Sequence, residues 1–112
     1  ETTEAPELET TYINGALYGD FRLDLRSRTL TKRGKLVELT QIEFVIIKYF
    51  FENRNKALSR EEILNAVWGS DYHGEPKIVD VNIRRLRLKI EDDPANPARL
   101  LSVRGYGYKW VD

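Results

Sequence analysis

Residues 77–90 constrain the fold of this chain more than any other stretch, because their apolar and cationic side chains fall on opposite faces of a helix. At about 100° per residue, apolar side chains spaced by three, four or seven residues share one narrow arc. Those side chains are Val79, Ile83, Leu86 and Ile90. The opposite arc carries Lys77, Val81, Arg84, Arg85 and Leu88. The pattern predicts a helix packed against the core of a globular domain.

The outer arc of this helix suits the major groove of DNA. An α-helix is about 10–12 Å across with its side chains, and the major groove of B-form DNA is about 12 Å wide. Guanidinium groups on the outer arc can then reach O6 and N7 of guanine. A solvated amphipathic helix whose arginines only cover the surface has the same pattern. The helix alone leaves both interpretations open.

The composition predicts one compact domain and argues against several kinds of site. A chain of 112 residues can bury somewhat more than about 60% of its unfolded surface without a disulfide or a metal. The absence of cysteine excludes a disulfide frame and a thiolate zinc site and favours a cytoplasmic location. The longest apolar run, residues 44–47, is far shorter than the roughly 20 residues of a membrane span. We therefore expect no contact with a membrane.

Charge is balanced over the whole chain but unevenly distributed along it. The 18 basic and 18 acidic residues lack the excess of positive charge that is typical of a nucleic-acid-binding domain. Residues 1–11 nevertheless carry a charge of −4, whereas residues 77–90 carry +4. We expect residues 1–14 to be an acidic interdomain linker or tail, preceded by another part of the native protein. Residues 15–112 are expected to form the folded domain.

Strand patterns occur at both ends of the expected domain. Between residues 15 and 39, short alternating runs separated by turn residues predict three or four antiparallel strands, the second of which extends through Leu25. Near the C-terminus, the runs 100–103 and 108–111 flank a turn with two glycines and predict a β-hairpin. The short segment 57–58 could add a further strand. The fold class is therefore α+β.

Two capping boxes locate the helices that precede residues 77–90. Thr40 and Glu43 have the spacing of one box and predict a helix from about Gln41 to the polar residues 53–55. Ser59 and Glu62 form a second box and predict a shorter helix that Gly69 ends. Pro76 suits the first turn of the third helix, where its missing N–H costs little.

Three helices followed by a hairpin, with a basic third helix, is the order of a winged helix, a relative of the helix-turn-helix. Four segments resemble the effector domain of OmpR/PhoB-type response regulators, and they are ELTQIEF, LSREEILNAVWG, VDVNIRRLRLKIEDDP and SVRGYGYKW. The resemblance covers about residues 15–111. It implies a winged helix-turn-helix with an N-terminal antiparallel sheet, three helices and a C-terminal wing. It also implies sequence-specific binding of double-stranded DNA in a two-component transcription regulator.

The resemblance implies roles for individual residues. In that family the third helix enters the major groove, the wing (residues 104–107 here) enters the minor groove, and monomers bind head to tail on direct repeats. The expected base or groove contacts are Asp80, Val81, Arg84, Arg85 and Arg104. The expected contacts with the DNA backbone are Trp68, Lys77, Ile78, Asn82, Arg87 and Tyr106.

Two residues depart from the family pattern. Ile78 stands where many relatives carry a small polar residue, although it could still contact a thymine methyl group. Leu88 stands where relatives usually carry a charged residue. An exposed leucine here is either part of a protein contact or tolerated surface.

The resemblance also implies partners besides DNA. The loop 69–75 corresponds to the family's segment for contact with RNA polymerase, with Asp71, Tyr72 and Glu75 as the expected contacts. A flexible connector without a partner has the same composition, so both interpretations stay open. A receiver domain would lie N-terminal to this chain, and the domain would form a tandem dimer on DNA.

No residue pattern indicates catalysis, a metal or a cofactor. His73 lies near Asp71 and Glu75, but their spacing fits no common metal motif. No pair of carboxylates and no serine–histidine pair has the spacing of a catalytic site, so we expect no enzyme activity.

One rival function stays open at this point, and a further one is weaker. A protein-interaction module with a winged-helix shape would explain the zero net charge and the apolar side chains of Leu88 and Tyr106. Binding of single-stranded RNA through Tyr106, Tyr108 and Trp110 is disfavoured. Tyr108 and Trp110 share a strand face and are expected to pack inside the hairpin.

Overall fold

The described residues form two antiparallel sheets and three helices, and one strand of the second sheet lies between the first two helices. The computed structural model describes residues 15–111, and the side chains of residues 19–111, so the linker expected at residues 1–14 lies outside the described residues. The elements are β1 (Gly15–Tyr18), β2 (Phe21–Asp24), β3 (Thr29–Lys32), β4 (Lys35–Val37), α1 (Gln41–Glu52), β5 (Leu58–Ser59), α2 (Arg60–Trp68), α3 (Lys77–Ile90), β6 (Leu100–Val103) and β7 (Gly107–Trp110). The first four strands pair in chain order, and the second sheet has the order β5-β7-β6. The predicted α+β winged helix-turn-helix is confirmed.

The first two helices begin where the capping boxes predicted. The Thr40 hydroxyl accepts a hydrogen bond from the backbone N–H of Glu43 (3.1 Å), and the Glu43 carboxylate accepts one from the N–H of Thr40 (2.9 Å). Ser59 and Glu62 form the same reciprocal pair at 3.0 and 2.8 Å. Pro76 lies one position before the first turn of α3, at the N-cap, with φ −61°. Its ring fixes a helical φ at the point where α3 begins.

Strand boundaries lie close to the predicted ones, and the difference at the end of β2 has a clear cause. The alternating pattern predicts a strand through Leu25, but β2 ends at Asp24 and Leu25 is exposed. The Asp24 carboxylate accepts hydrogen bonds from the backbone N–H groups of Arg26 (2.9 Å) and Ser27 (3.2 Å). This local bonding turns the chain and overrides the alternation of apolar residues.

The predicted apolar arc of α3 lies in the core. Its four members, Val79, Ile83, Leu86 and Ile90, are at most 1% exposed. They belong to the same buried cluster as the apolar face of α1, which contributes Phe44, Ile46, Ile47, Phe50 and Phe51. Burying one such side chain is worth about 1.5–3 kcal/mol relative to exposing it. The core therefore fixes α3 with its outer arc in solvent.

An aromatic cluster joins the two sheets. Trp110 of β7 packs edge-on against Phe21 of β2, with ring centroids 5.3 Å apart, and against Phe51 of α1, at 4.8 Å. Edge-to-face pairs of this kind contribute about 0.5–1.5 kcal/mol beyond the area that they bury. The second sheet is thus held against the N-terminal sheet by packing at one end of β7, away from its turn.

Charged side chains anchor the C-terminal end of α3. Lys32 Nζ donates a hydrogen bond to the carbonyl oxygen of Ile90 at 2.6 Å. Lys89 donates to the buried carboxylate of Glu43, which joins α3 to α1. Just beyond the helix, Glu91 accepts from the backbone N–H groups of residues 98–100 at 2.7–3.3 Å. These bonds fix the end of α3 and the chain that leads from it into β6.

Candidate nucleic-acid interface

The outer arc of α3 presents three cations and two apolar side chains to solvent. All five predicted members are exposed, namely Lys77, Val81, Arg84, Arg85 and Leu88. Arg84 and Arg85 form no ion pair with any residue between 15 and 111. The arc is therefore a cationic surface on a helix that the core holds in place.

The wing is a tight turn between β6 and β7. The backbone N–H of Tyr106 donates to the carbonyl oxygen of Val103 at 2.9 Å, and Gly105 has a positive φ of 72°. Arg104 and Tyr106 are exposed at this turn. At Gly107 an added Cβ would overlap the carbonyl oxygen of Leu58, because β7 pairs with β5 there. The close approach fixes the wing relative to the start of α2.

Asp80 links three elements at the junction between α3 and the wing. Its Oδ1 accepts hydrogen bonds from Arg60 Nε of α2 (2.8 Å) and from the Tyr108 hydroxyl of β7. Burial alone would raise the pKa of Asp80, but the hydrogen bonds from Tyr108 and Arg60 outweigh it and hold the pKa below its usual value. Burial and the neighbouring Asp80 raise the pKa of Tyr108. At neutral pH a carboxylate and a protonated phenol thus meet here.

Arg87 of α3 bonds to β6 at the same junction. Its Nε donates to the carbonyl oxygen of Leu100 at 2.9 Å, and its Nη2 donates to the Ser102 hydroxyl at 3.0 Å. The guanidinium carbon lies 5.4 Å from the ring centroid of Tyr108, and that of Arg60 lies 5.9 Å from the same ring. A cation over the face of a tyrosine ring is attracted to the ring electrostatically. Four side chains therefore join α3 to β6 and β7, the two strands that flank the wing. They are Arg60, Asp80, Tyr108 and Arg87.

Besides Arg87, which is also half-buried, three residues expected to contact the DNA backbone are partly or largely covered. Asn82 is 6% exposed, and its Nδ2 donates to the carbonyl oxygen of Ile78 at 2.9 Å within α3. Ile78 and Trp68 are half-buried and pack against the core. Each of the three thus has a role inside the domain. Their contacts with DNA stay predictions.

The three expected contact residues in the loop between α2 and α3 differ in their exposure to solvent. Asp71 and Glu75 are exposed, whereas Tyr72 is half-buried against the core with its ring centroid 6.1 Å from that of Trp68. Gly69 ends α2 with a positive φ of 96°. The loop is therefore anchored at Tyr72 and presents carboxylates on both sides of that anchor.

The part of the chain that the structure describes gives no support for a metal site, a membrane span or a platform for stacking bases. Residues 15–111 contain no group of three or more His, Cys, Asp or Glu side chains that could hold a metal ion. None of their helices has the length and apolar character needed to cross a membrane. Tyr108 and Trp110 are buried, as the strand alternation predicted, so they offer no exposed platform for stacking bases.

Sequence reasoning missed two members of this site. Arg60 and Ser102 bond to Asp80 and Arg87 across 20 and 15 residues of sequence. The alternation in β7 placed Tyr108 on the buried face, but nothing in the sequence indicated that its hydroxyl meets Asp80. A polar atom on an otherwise buried ring needs a partner, and that requirement was the one available signal.

Comparisons with known proteins agree with the geometry. The family described as "Transcriptional regulatory protein, C terminal" matches residues 34–110. Sensory transduction protein RegX3 of Mycolicibacterium smegmatis is 42% identical over 91 residues, which cover 81% of this chain and 40% of that protein. Among solved structures, the response regulator DrrB of Thermotoga maritima, an OmpR/PhoB homolog, is 33% identical with a TM-score of 0.79, covering 86% of this chain and 43% of DrrB.

A second solved structure corresponds to a single domain. The RstA DNA-binding domain of Klebsiella pneumoniae, solved in complex with the RstA box, is 28% identical with a TM-score of 0.77, covering 85% of this chain and 94% of that domain. By contrast, this chain spans only 40% of the length of RegX3. The matched family consists of DNA-binding domains of transcription factors, which are generally not enzymes. The chain belongs to this family of C-terminal domains of transcriptional regulatory proteins, and it is an OmpR/PhoB-type effector domain with the winged-helix fold.

Proposed function

We propose that this chain binds specific sequences of double-stranded DNA, with α3 in the major groove and the wing (residues 104–107) in the minor groove. The observation that carries the proposal is the surface formed by the outer arc of α3 and the wing. It presents Arg84, Arg85 and Arg104 in solvent, on elements that the core and the Asp80 junction hold in one arrangement. A fixed helix can enter the groove without first becoming ordered.

The side chains of this surface, of which all but the half-buried Asp80 are exposed, suit the edges of bases. Arg84 and Arg85 can each donate two hydrogen bonds to O6 and N7 of guanine, and Val81 can contact the methyl group of thymine. Asp80 is ionised, so it can accept a hydrogen bond from the N4 amino group of cytosine. Arg104 at the wing turn suits a narrow minor groove, where A·T tracts concentrate negative potential. Together these contacts give sequence preference.

A second set of residues positions the domain on the phosphates. Lys77 is exposed at the start of α3, and its ammonium group can neutralise a phosphate directly. Tyr106 is exposed in the wing. The set is completed by Trp68 and Ile78, which pack against the core, and by Asn82 and Arg87, whose hydrogen bonds within the domain hold the elements that approach the backbone. Such contacts fix register and orientation and carry no base preference.

The full-length protein is proposed to be a cytoplasmic response regulator that acts in a two-component system. The chain spans 40% of RegX3, which leaves room in such a protein for an N-terminal receiver domain. Two effector domains are proposed to bind direct-repeat half-sites in tandem. The exposed carboxylates of Asp71 and Glu75, with Tyr72 between them, are proposed to contact RNA polymerase.

Selection of bound sequences from a random duplex library tests the DNA-binding proposal. We expect enrichment of two direct half-sites about one helical turn apart, roughly 10–10.5 bp. Affinity for the selected duplex should fall steeply with salt, by about 0.9 in log K per log unit of salt for each phosphate neutralised. Binding that discriminates no sequence would reject sequence-specific recognition, and binding that ignores salt would favour a protein-interaction module.

A further inference from the structure

Two exposed apolar side chains lie among the cations of α3. Val81 is 42% exposed and Leu88 is 65% exposed, which makes Leu88 the most exposed large apolar side chain among residues 19–111. They are seven residues apart, so they point the same way and lie about 10.5 Å apart along the helix. Arg84 and Arg85 lie between them in sequence. The centre of the outer arc is therefore apolar and its flanks are cationic.

The fold gives no structural reason for the leucine at position 88. The core contacts of α3 come from the opposite arc, where Leu86 and Ile90 are at most 1% exposed. Leu88 is not among the apolar residues of the core or those packed against it. A leucine left in solvent forgoes the gain of burial. That gain becomes available only when another molecule covers this face.

We propose that Leu88 contacts the methyl group of a thymine and so adds a second apolar reading position to that of Val81. The proposal rests on the proposed binding of α3 in the major groove. In the major groove, the C5 methyl of thymine is the apolar group on the base edges. A separation of about 10.5 Å along the helix corresponds to about three base steps of 3.4 Å. The preferred half-site should then contain two thymines about three base steps apart.

The charge around Leu88 favours DNA as the molecule that covers it. Lys77, Arg84 and Arg85 surround the apolar centre, whereas the acidic residues nearest in sequence, Glu91 and Asp92, already bond to other parts of the domain. A second copy of the same face would bring like charges together. A polyanion with apolar groups on its groove floor matches both properties of the surface.

Replacement of each thymine of the selected duplex by deoxyuridine tests the proposal, because only the C5 methyl is removed. With the unaltered chain we expect affinity to fall about fourfold at two positions, the value of one buried methyl group at each. Leu88→Ala should abolish the loss at one position, and Val81→Ala should abolish it at the other. Leu36→Ala is the matched control, since Leu36 of β4 is 61% exposed but lies outside the interface. It should leave both losses unchanged.

The outcomes separate this inference from the proposed function. If Leu88→Ala binds every deoxyuridine duplex as the unaltered chain does, the role of Leu88 is rejected while DNA binding stands. If the unaltered chain prefers no duplex over a scrambled one, both proposals fail. Sedimentation of the free domain gives a further check. Self-association that Leu88→Ala removes, with unchanged dependence on thymine, would assign Leu88 to a protein contact and overturn the inference.

Discussion

Two regions of the domain differ in whether their cations form ion pairs. Where the N-terminal sheet meets the end of α3, Lys32 and Arg33 are paired with Asp92 at 2.7 and 2.8 Å. On the outer arc of α3 and the wing, Arg84 and Arg85 are exposed, and neither pairs with an acid within the described range, 15–111. The formal net charge of zero therefore conceals a separation of charge. The lack of a partner in the domain leaves Arg84 and Arg85 available to an approaching anion, which the net charge does not show.

The acids of the first region explain this separation. Hydrogen bonds from Arg33, followed by those from Lys32, hold the pKa of Asp92 well below its usual range. Asp92 is thus ionised at any pH at which the protein would act, and it neutralises the cations beside it. Asp92 therefore cancels much of the field of Lys32 and Arg33 at a distance, whereas no ion-pair partner among the described residues cancels that of Arg84 and Arg85.

The largest expected effect distinguishes the two regions directly. Arg84→Ala should weaken binding to the selected duplex by about 1–3 kcal/mol and relax base preference at one position. Arg33→Ala is the matched control, since it removes a cation that the domain already neutralises, and it should leave affinity nearly unchanged. Fluorescence anisotropy with selected and scrambled duplexes measures both. Equal losses for the two variants would show that pairing does not separate the regions.

The junction between α3 and the wing should depend on the ionisation of Asp80. Tyr108→Phe removes a hydrogen bond to a carboxylate and should lower the free energy of unfolding by about 1.5 kcal/mol near neutral pH. The pKa of Asp80 is lowered in the folded state, so its contribution is present above the unfolded value of about 3.9 and is lost as pH falls through the folded value. Urea unfolding at pH 7 and at successively lower pH should show the difference between variant and unaltered chain shrinking.

A difference that stays constant across this pH range would mean that Asp80 does not hold the junction through its charge. Thr31→Ala is a suitable control, because this side chain lies on the N-terminal sheet and takes no part in the junction. Its effect on stability should not change over the same range.

A smaller and less selective effect is expected at the start of α3. Lys77→Ala should weaken binding to selected and scrambled duplexes alike, because a phosphate contact carries no base preference. It should also reduce the slope of log K against log salt by about 1. Salt titrations of both duplexes measure the slope. A loss confined to the selected duplex would move Lys77 from the backbone contacts to the base contacts.

The smallest effect is expected in the paired region. Asp92→Asn removes an exposed carboxylate that pairs with Lys32 and Arg33, and exposed ion pairs contribute little to stability. We expect slightly earlier thermal unfolding at low salt and a smaller difference at high salt. The difference should also shrink as pH falls below the usual carboxyl pKa towards the lowered pKa of folded Asp92. Affinity for DNA should stay the same or rise slightly because one negative charge is removed, while Lys32 keeps its bond to Ile90 and Arg33 its pair with Asp20. A marked fall in affinity would place this region within the interface.

The secondary structure was largely predictable because local signals determine it. The two capping boxes at Thr40 and Ser59 located the starts of α1 and α2, and the apolar spacing of residues 79–90 identified the buried arc of α3. The resemblance to a family arranged these elements as a winged helix. At Leu25 the same reasoning was wrong, since the Asp24 side chain ends the strand earlier.

The polar pairing of the site was much less predictable. Arg60 bonds to Asp80, and Lys89 bonds to Glu43, across 20 and 46 residues of sequence. In a chain with 18 basic and 18 acidic residues, many pairings satisfy charge equally well, and only the packed elements select among them. Asn82 shows the same limit, because the resemblance places it beside DNA while packing covers most of its side chain.

A map of amide chemical shifts during titration with the selected duplex tests the central claim most directly. We expect the largest changes along the outer arc of α3 and in residues 104–107, with small changes in β2, β3 and β4. Changes centred on the N-terminal sheet, around Lys32 and Arg33, would contradict binding through α3 and the wing. They would mean that DNA binds the region whose cations the domain has already paired.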